Sequence, residues 1–510
     1  MGNSLVWIII AFALYLLMMI AIGAVYAKKN NSAEDYFLGG RQLNGFVAAL
    51  SAQASDMSGW LLMGLPGSVY ALGTGQSWIA IGLFIGTVCN WLFISGKLRR
   101  YTIRANNSLT LPTYFENRFH DKKRILLLIS SITIVIFFLV YTASALAAGG
   151  KLFHSVFGLD YRMALTIGAI VILLYTFMGG FLAVCVTDFI QGNLMLIGLL
   201  VVPLAAWGIV GTGNVANLLE SSGAVGGAAG FLSLVNDGIG TYSAVDIISQ
   251  LAWGLGYCGM PHILVRFMAV RDEKELKKSK GIAIGWVALS LLFAVIIGVI
   301  GRAYLYPELL TDGAEENVFI HMIIKLFTQD VKAPIIGGIF LCGILAAIMS
   351  TADSQLLVSA SSMAEDIFKG VVKKDADDKT VLRISRITVL VIAVLAYIIA
   401  LNPNSSIMGL VSNAWAGLGS AFGPTVLMSL YWRRTNLQGA VAGIAVGALT
   451  VIVWDYIPFV SGQTLGAVTG LYSLAVGFAL SLAAIVAVSL LTPAPDAEML
   501  REFDDVKMKK

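Results

Sequence analysis

One acid stands inside an otherwise apolar stretch, in the run Ser55-Asp56-Met57-Ser58-Gly59. A charged aspartate at mid-bilayer costs roughly 2.5–3.5 kcal/mol on insertion scales. It is tolerated there for a cation, a proton or a paired base, or as the cap of a half-helix starting near Met57. A second polar patch, Ser350-Thr351-Ala352-Asp353-Ser354-Gln355, interrupts another apolar stretch. Its hydroxyl and carboxylate oxygens suit a hard cation. Carbonyls released by a helix break near Ser55–Gly59 would form a small Na⁺ cage with Ser350 and Thr351. The competing use of such small polar residues is interhelical hydrogen bonding. The sequence contains no nucleophile–base pair and no metal-ligand spacing, so an enzyme and a bound cofactor are not expected. It also lacks GxxxxGK[ST], so ATP-driven transport by this chain is not expected.

These residues need a membrane around them, and the composition supplies it. The 510 residues are 58% hydrophobic and 13% charged, about half the charge of a soluble domain. A bilayer span takes about 20 mainly apolar residues. Thirteen stretches qualify: 5–27, 45–71, 76–96, 125–150, 162–183, 187–211, 243–268, 281–305, 334–368, 384–401, 406–432, 437–457 and 466–491. The first begins almost at Met1, without a basic leader, and is too long for a signal-peptide core, so it reads as a permanent span. Lys and Arg collect in short cytoplasmic loops. With the N-terminus outside, 29 of the 34 Lys and Arg residues fall inside, among them Lys28, Lys29, Lys509 and Lys510. The tail, 492–510, is then cytoplasmic. The net charge of +4 gives no reason to expect nucleic acid, and no obligate protein partner is evident. Cys89, Cys185, Cys258 and Cys342 form no CxxC pair and read as small packing residues.

Two stretches carry Gly, Pro and polar residues near mid-span: Ser55 to Gly59 followed by Gly64, Pro66 and Gly67, and Trp253-Gly254-Leu255-Gly256-Tyr257-Cys258-Gly259-Met260-Pro261. Broken backbone at membrane depth is tolerated only where protein or a watery cavity receives it. Paired breaks at corresponding places in two halves point to an inverted-repeat transporter site. The expected fold is therefore all-α and integral to the membrane. It forms one transmembrane domain, 1–491: an extra span 5–27, a first five-span repeat 45–211, a second repeat 243–432, and two peripheral spans within 437–491. Arg266 is expected at the cytoplasmic edge as a helix anchor.

The segment LGGRQLNGFVAALSAQASDMSGWLLMGLPG (38–67) resembles the start of sodium/solute symporters, most of all those of bacterial sodium/proline symporters. WGLGYCGMPHILVRFMA (253–269) and AAIMSTADSQLLVSASS (346–362) carry the same resemblance. It implies a LeuT-like core of two inverted repeats and Na⁺-coupled uptake of L-proline across a bacterial-type plasma membrane. It also implies Na⁺ held by the carbonyls of Ala54 and Met57 with Ala347, Ser350 and Thr351. Asp56 is then the family's essential aspartate, with Ser58 close by. Substrate contacts fall on Tyr141, Trp253, Tyr257 and Pro261. Aromatic walls suit a proline ring, and the positive end of a broken helix suits its carboxylate. Some proline carriers have an aromatic residue and a Gln where this chain has Cys258 and Met260. That leaves pantothenate, another amino acid or a small carboxylate as alternative cargo.

Overall fold

A computed structural model describes residues 2–27, 33–176, 180–235, 240–460 and 462–508. Lys28, Lys29, Lys509 and Lys510 lie outside the described residues. The described chain is helical apart from one short antiparallel pair, Pro458–Val460 with Gln463–Thr464. Among the described residues nine helices are long and apolar enough to cross a membrane. Pro334–Val372 is the most enclosed of them: 83% of its most apolar window is buried, against 28% for Ser4–Tyr26. The polar patch at 350–355 therefore belongs to the centre of the bundle and the first helix to its rim.

Both expected interruptions are present, and each has a local cause. Gly45–Asp56 starts on Asn44, whose side chain accepts from the Val47 amide. It stops at Met57, where ψ swings to 75°. The Ser58 amide then bonds to the Asp56 carbonyl at 2.9 Å instead of reaching back to Ala54. The chain resumes through a widened turn, Trp60–Gly64, into Leu65–Leu72. The break thus sits at Met57–Ser58. Gly64, Pro66 and Gly67 lie inside the resumed helix. The second interruption starts from the Ser243 cap of Ala244–Leu251, tightens through Ala252–Gly259, and turns extended at Met260. Pro261 then opens Pro261–Ala269, where its missing amide costs nothing and its fixed φ favours helix. Gly254 permits the close approach to the neighbouring helix: a Cβ there would lie 2.0 Å from the Gly82 carbonyl oxygen.

Some boundaries differ from those read in the sequence. The stretch 162–183 is helical over Tyr161–Thr176, its 177–179 portion lies outside the described residues, and a separate helix begins at Phe181. Apolar content alone could not place the helix start at Phe181. The loop 212–242 contains two short helices, Val215–Ser221 and Gly227–Phe231. Helix Ile125–Phe157 packs along both Pro334–Ser361 and Ile407–Tyr431. Gly45–Asp56 packs mainly on Phe181–Val210 and Glu273–Leu305, and Ala252–Gly259 on Ile407–Tyr431. The last described helix, Ala497–Met508, packs on Ser95–Arg104.

Candidate functional site

The break at Met57 leaves main-chain oxygens without their helical partners. Ser58 no longer bonds to Ala54, and Leu61 bonds to Ser58 instead of Met57. Helix Pro334–Ser361 brings its hydroxyls to this point. Ser350 donates to the Ala54 carbonyl at 2.7 Å and lies 3.2 Å from the Ala347 carbonyl. Thr351 lies 3.5 Å from the Ala54 carbonyl. Ala54, Met57, Ala347, Ser350 and Thr351 are all fully buried. The geometry gathers Ala54, Ala347, Ser350 and Thr351 into one knot of oxygens between two helices, with Met57 at the break.

Asp56 points the other way, toward the second interrupted helix. Its Oδ2 accepts from the Tyr257 hydroxyl at 2.6 Å. Its Oδ1 is buried with no hydrogen-bond partner. The capping use of Asp56 is not what the structure displays. Ser58 Oγ, 3.4 Å from the Trp60 amide, stands at the start of the resumed helix, and the Asp56 carbonyl accepts from Trp60 Nε1 at 2.9 Å. Tyr257 is braced on two further sides. Asn90 donates to its carbonyl at 3.0 Å, and the Trp415 ring meets it edge-on at 5.2 Å. Trp415 Nε1 donates to the Trp253 carbonyl at 2.8 Å. A Cβ on Gly256 would lie 2.0 Å from that Nε1, so glycine is what lets the indole in.

The four proposed substrate contacts do not share one wall. Tyr141 is buried and edge-on to His262 at 6.2 Å. Trp253 stacks on Tyr472 at 5.3 Å and faces a cavity of about 530 Å³ shared with Gln76, Gln250, Ser412 and Asp455. Pro261 lines a different cavity of only about 20 Å³, beside Thr110, Arg266 and Ser361. Trp253, Tyr257 and Pro261 thus follow the interrupted helix from a wide vestibule to a nearly closed end.

Arg266 corrects the expectation of a peripheral anchor. It is 1% exposed. Its guanidinium donates to Ser51 Oγ at 3.1 Å, the His262 carbonyl at 2.7 Å, Asp188 Oδ2 at 3.2 Å and Ser354 Oγ at 2.7 Å. The planar fork of arginine suits such a multi-sided, desolvated site. Asp188 was a missed signal: an acid within an apolar stretch is a functional candidate by default. Asn90, Trp415 and Tyr472 carried weaker signals, being polar or aromatic residues on apolar helices.

With this geometry in place, likeness to known proteins is informative. Residues 36–447 match the profile of the Sodium:solute symporter family. The chain belongs to that family. Its members are transporters and not enzymes. The osmoregulated proline transporter OpuE of Bacillus subtilis is 44% identical over 97% of each chain. The sodium/proline symporter of Escherichia coli is 44% identical over 97% of this chain and 95% of its own. A substrate-bound, outward-open Na⁺-coupled sialic acid symporter superposes with a TM-score of 0.78 at 19% identity, covering 96% of this chain and 99% of its own. That likeness shows the fold alone, an all-helical architecture shared with that symporter.

Proposed function

We propose that this protein carries L-proline together with Na⁺ into a bacterial cell by alternating access. The observation that carries the reading is the Ala54 carbonyl, released by the helix break and met by Ser350 and Thr351 from a second helix. Na⁺ enters that knot of oxygens, with Ala54, Met57, Ala347, Ser350 and Thr351 as its ligands. Asp56 acts beside the cage, with Ser58 near it, and ties the cage to Tyr257. Tyr141, Trp253, Tyr257 and Pro261 line the path that proline takes, from the wide cavity at Trp253 past Tyr257 toward the narrow one at Pro261. The relatives named as proline transporters, similar over nearly the full chain, favour proline over the other small solutes.

The membrane arrangement belongs to the same reading. Thirteen spans place the N-terminus outside and the tail in the cytoplasm, and spans two to eleven form the two inverted repeats. The 530 Å³ vestibule then opens outward, and the 20 Å³ cavity marks the closed inner end. Inward movement of one charge supplies roughly 2.3 kcal/mol per 100 mV. A tenfold Na⁺ gradient adds about 1.4 kcal/mol. Together these support accumulation of roughly a few hundredfold per Na⁺ carried. Coupling requires Na⁺ and proline to favour the same conformation.

Uptake of labelled proline into proteoliposomes tests this, with competing solutes added in parallel. Accumulation is expected only with an inward Na⁺ gradient. Uptake unchanged when K⁺ replaces Na⁺ would reject the coupling. Competition by pantothenate or another solute stronger than that by proline itself would reject the cargo.

A further inference from the structure

The C-terminal helix encloses a cavity that transport does not use. It measures about 200 Å³ and is lined by Lys97, Tyr101, Tyr431, Phe503, Val506 and Lys507, with Leu430 beneath. Three observations give it a chemistry. The first is its charge. Two ammonium groups line it, and the neighbouring carboxylates are engaged elsewhere: Asp504 with Arg433 at 2.8 Å, Glu502 with Arg104 at 3.2 Å and Glu273 with Arg100 at 3.3 Å. Among the described residues neither Lys97 nor Lys507 pairs with a carboxylate. Lys97 Nζ rests 3.4 Å from the centre of the Tyr431 ring. Arg118 stands behind the wall, 4.8 Å from the Tyr101 ring and 5.5 Å from that of Phe503.

The second observation is an unsatisfied polar group. Tyr101 is 1% exposed, and its hydroxyl has no hydrogen-bond partner. A buried hydroxyl left unpaired is costly. One that lines a cation-walled cavity lacks an acceptor. The third is position. Leu92 and Phe93, on the same helical run one turn before Lys97, are 48% and 56% exposed, and Tyr431 donates to the Phe93 carbonyl at 2.7 Å. The cavity therefore lies where the lipid-facing apolar band gives way to basic residues, the level at which headgroups sit.

We propose that this cavity binds a phosphate ester, presented as the headgroup of an anionic phospholipid. The two lysines meet the phosphoryl charge, Tyr101 donates its hydroxyl to a phosphoryl oxygen, and Leu92 and Phe93 accompany the acyl chains. Bound there, the lipid bridges Ser95–Arg104, the end of Ile407–Tyr431 and the terminal helix. The membrane orientation proposed above decides only that the leaflet is the cytoplasmic one.

Native mass spectrometry of the full chain, released from membranes of phosphatidylcholine with phosphatidylglycerol, tests the site. Wild type is expected to retain one phosphatidylglycerol. Removing a lysine near a charged membrane surface weakens attraction about fivefold, so K97Q/K507Q should lower retention on the order of twentyfold. Y101F, which leaves net charge unchanged, should also lower it. K274Q/K277Q, a basic pair on another helix, should not. Na⁺-dependent uptake and a monodisperse elution profile establish that each variant is folded. Equal retention by wild type, K97Q/K507Q and Y101F would overturn the site. So would an equal loss in K274Q/K277Q, because general surface charge would then account for it. Saturable binding of glycerol phosphate in detergent, with no preference for phosphatidylglycerol in membranes, would overturn the lipid source.

Discussion

Tyr257→Phe removes one atom and tests whether the two binding regions are linked through Asp56. The phenylalanine keeps the edge contact with Trp415 and the main-chain bond from Asn90, so packing changes little. It deletes the 2.6 Å hydrogen bond to Asp56 Oδ2. Oδ1 already lacks a partner, so the variant leaves a buried carboxylate with none. A hydrogen bond to a charged group is worth about 1.5–3 kcal/mol. If that bond transmits the order imposed by Na⁺ at Ala54 to the helix carrying Tyr257, the coupling free energy falls by this amount. A coupling of that size is a factor of roughly 10–150. The assay is equilibrium binding of labelled proline to purified protein, with Na⁺ saturating and with K⁺ in its place. The ratio of the two dissociation constants should shrink by that factor. Coupling between ligands is reciprocal, so proline should lose the same factor in its effect on Na⁺ affinity. A Tyr257→Phe protein that binds proline more weakly by the same factor in both salts, with the ratio unchanged, would refute the linkage. Tyr257 would then be a wall of the substrate site only.

Other perturbations separate the remaining parts. Ser350→Ala should raise the Na⁺ concentration for half-maximal uptake about tenfold or more, because a ligand oxygen and its bond to Ala54 are lost together, whereas Thr351→Ser keeps its oxygen and should change little; Na⁺ titration of uptake checks both. Arg266→Met should cost about 3–5 kcal/mol by stranding Asp188, and Arg266→Met with Asp188→Leu should recover most of that stability, as read by thermal unfolding in detergent. The terminal helix should loosen in acid. Arg433 holds the Asp504 carboxyl below its ordinary value, and the Met499 amide does the same for Asp496. Groups lowered in the folded state stabilise it above their unfolded value and lose that contribution as pH falls through the folded one, so amide protection factors in Ala497–Met508, taken relative to the unstructured rate at each pH, should fall below about pH 4.

The breaks at Met57 and Met260 were legible because glycine, proline and an isolated acid are conspicuous in apolar sequence, and the membrane makes each of them costly. Ser350 and Thr351 were legible for the same reason. What remained hidden depends on which faces meet. Nothing local in the sequence says that Gly256 is bare so that Trp415 can reach the Trp253 carbonyl. Nothing local says that the Asp56 carboxylate turns toward Tyr257 while the Ala54 carbonyl, two residues away, turns toward Ser350. Arg266 was misplaced because a basic residue near the end of an apolar stretch usually reaches outward to water. Here Asp188, Ser51 and Ser354 converge from three other helices and make the interior the better solvent. That network has a consequence for the transport cycle. Arg266 lines the cavity of about 20 Å³ and is bonded to Ser354, one turn beyond Ser350 on the same helix. The helix that supplies hydroxyls to the Ala54 carbonyl is therefore tied to the closed end by a desolvated charge. Opening that end separates Arg266 from at least one of its partners or carries them together. The second course costs far less, since unpairing a buried charge is expensive. The interrupted helices and Pro334–Ser361 should accordingly move inward with the Ser51–Asp188–Arg266–Ser354 cluster intact, and the surrounding helices should be what yields.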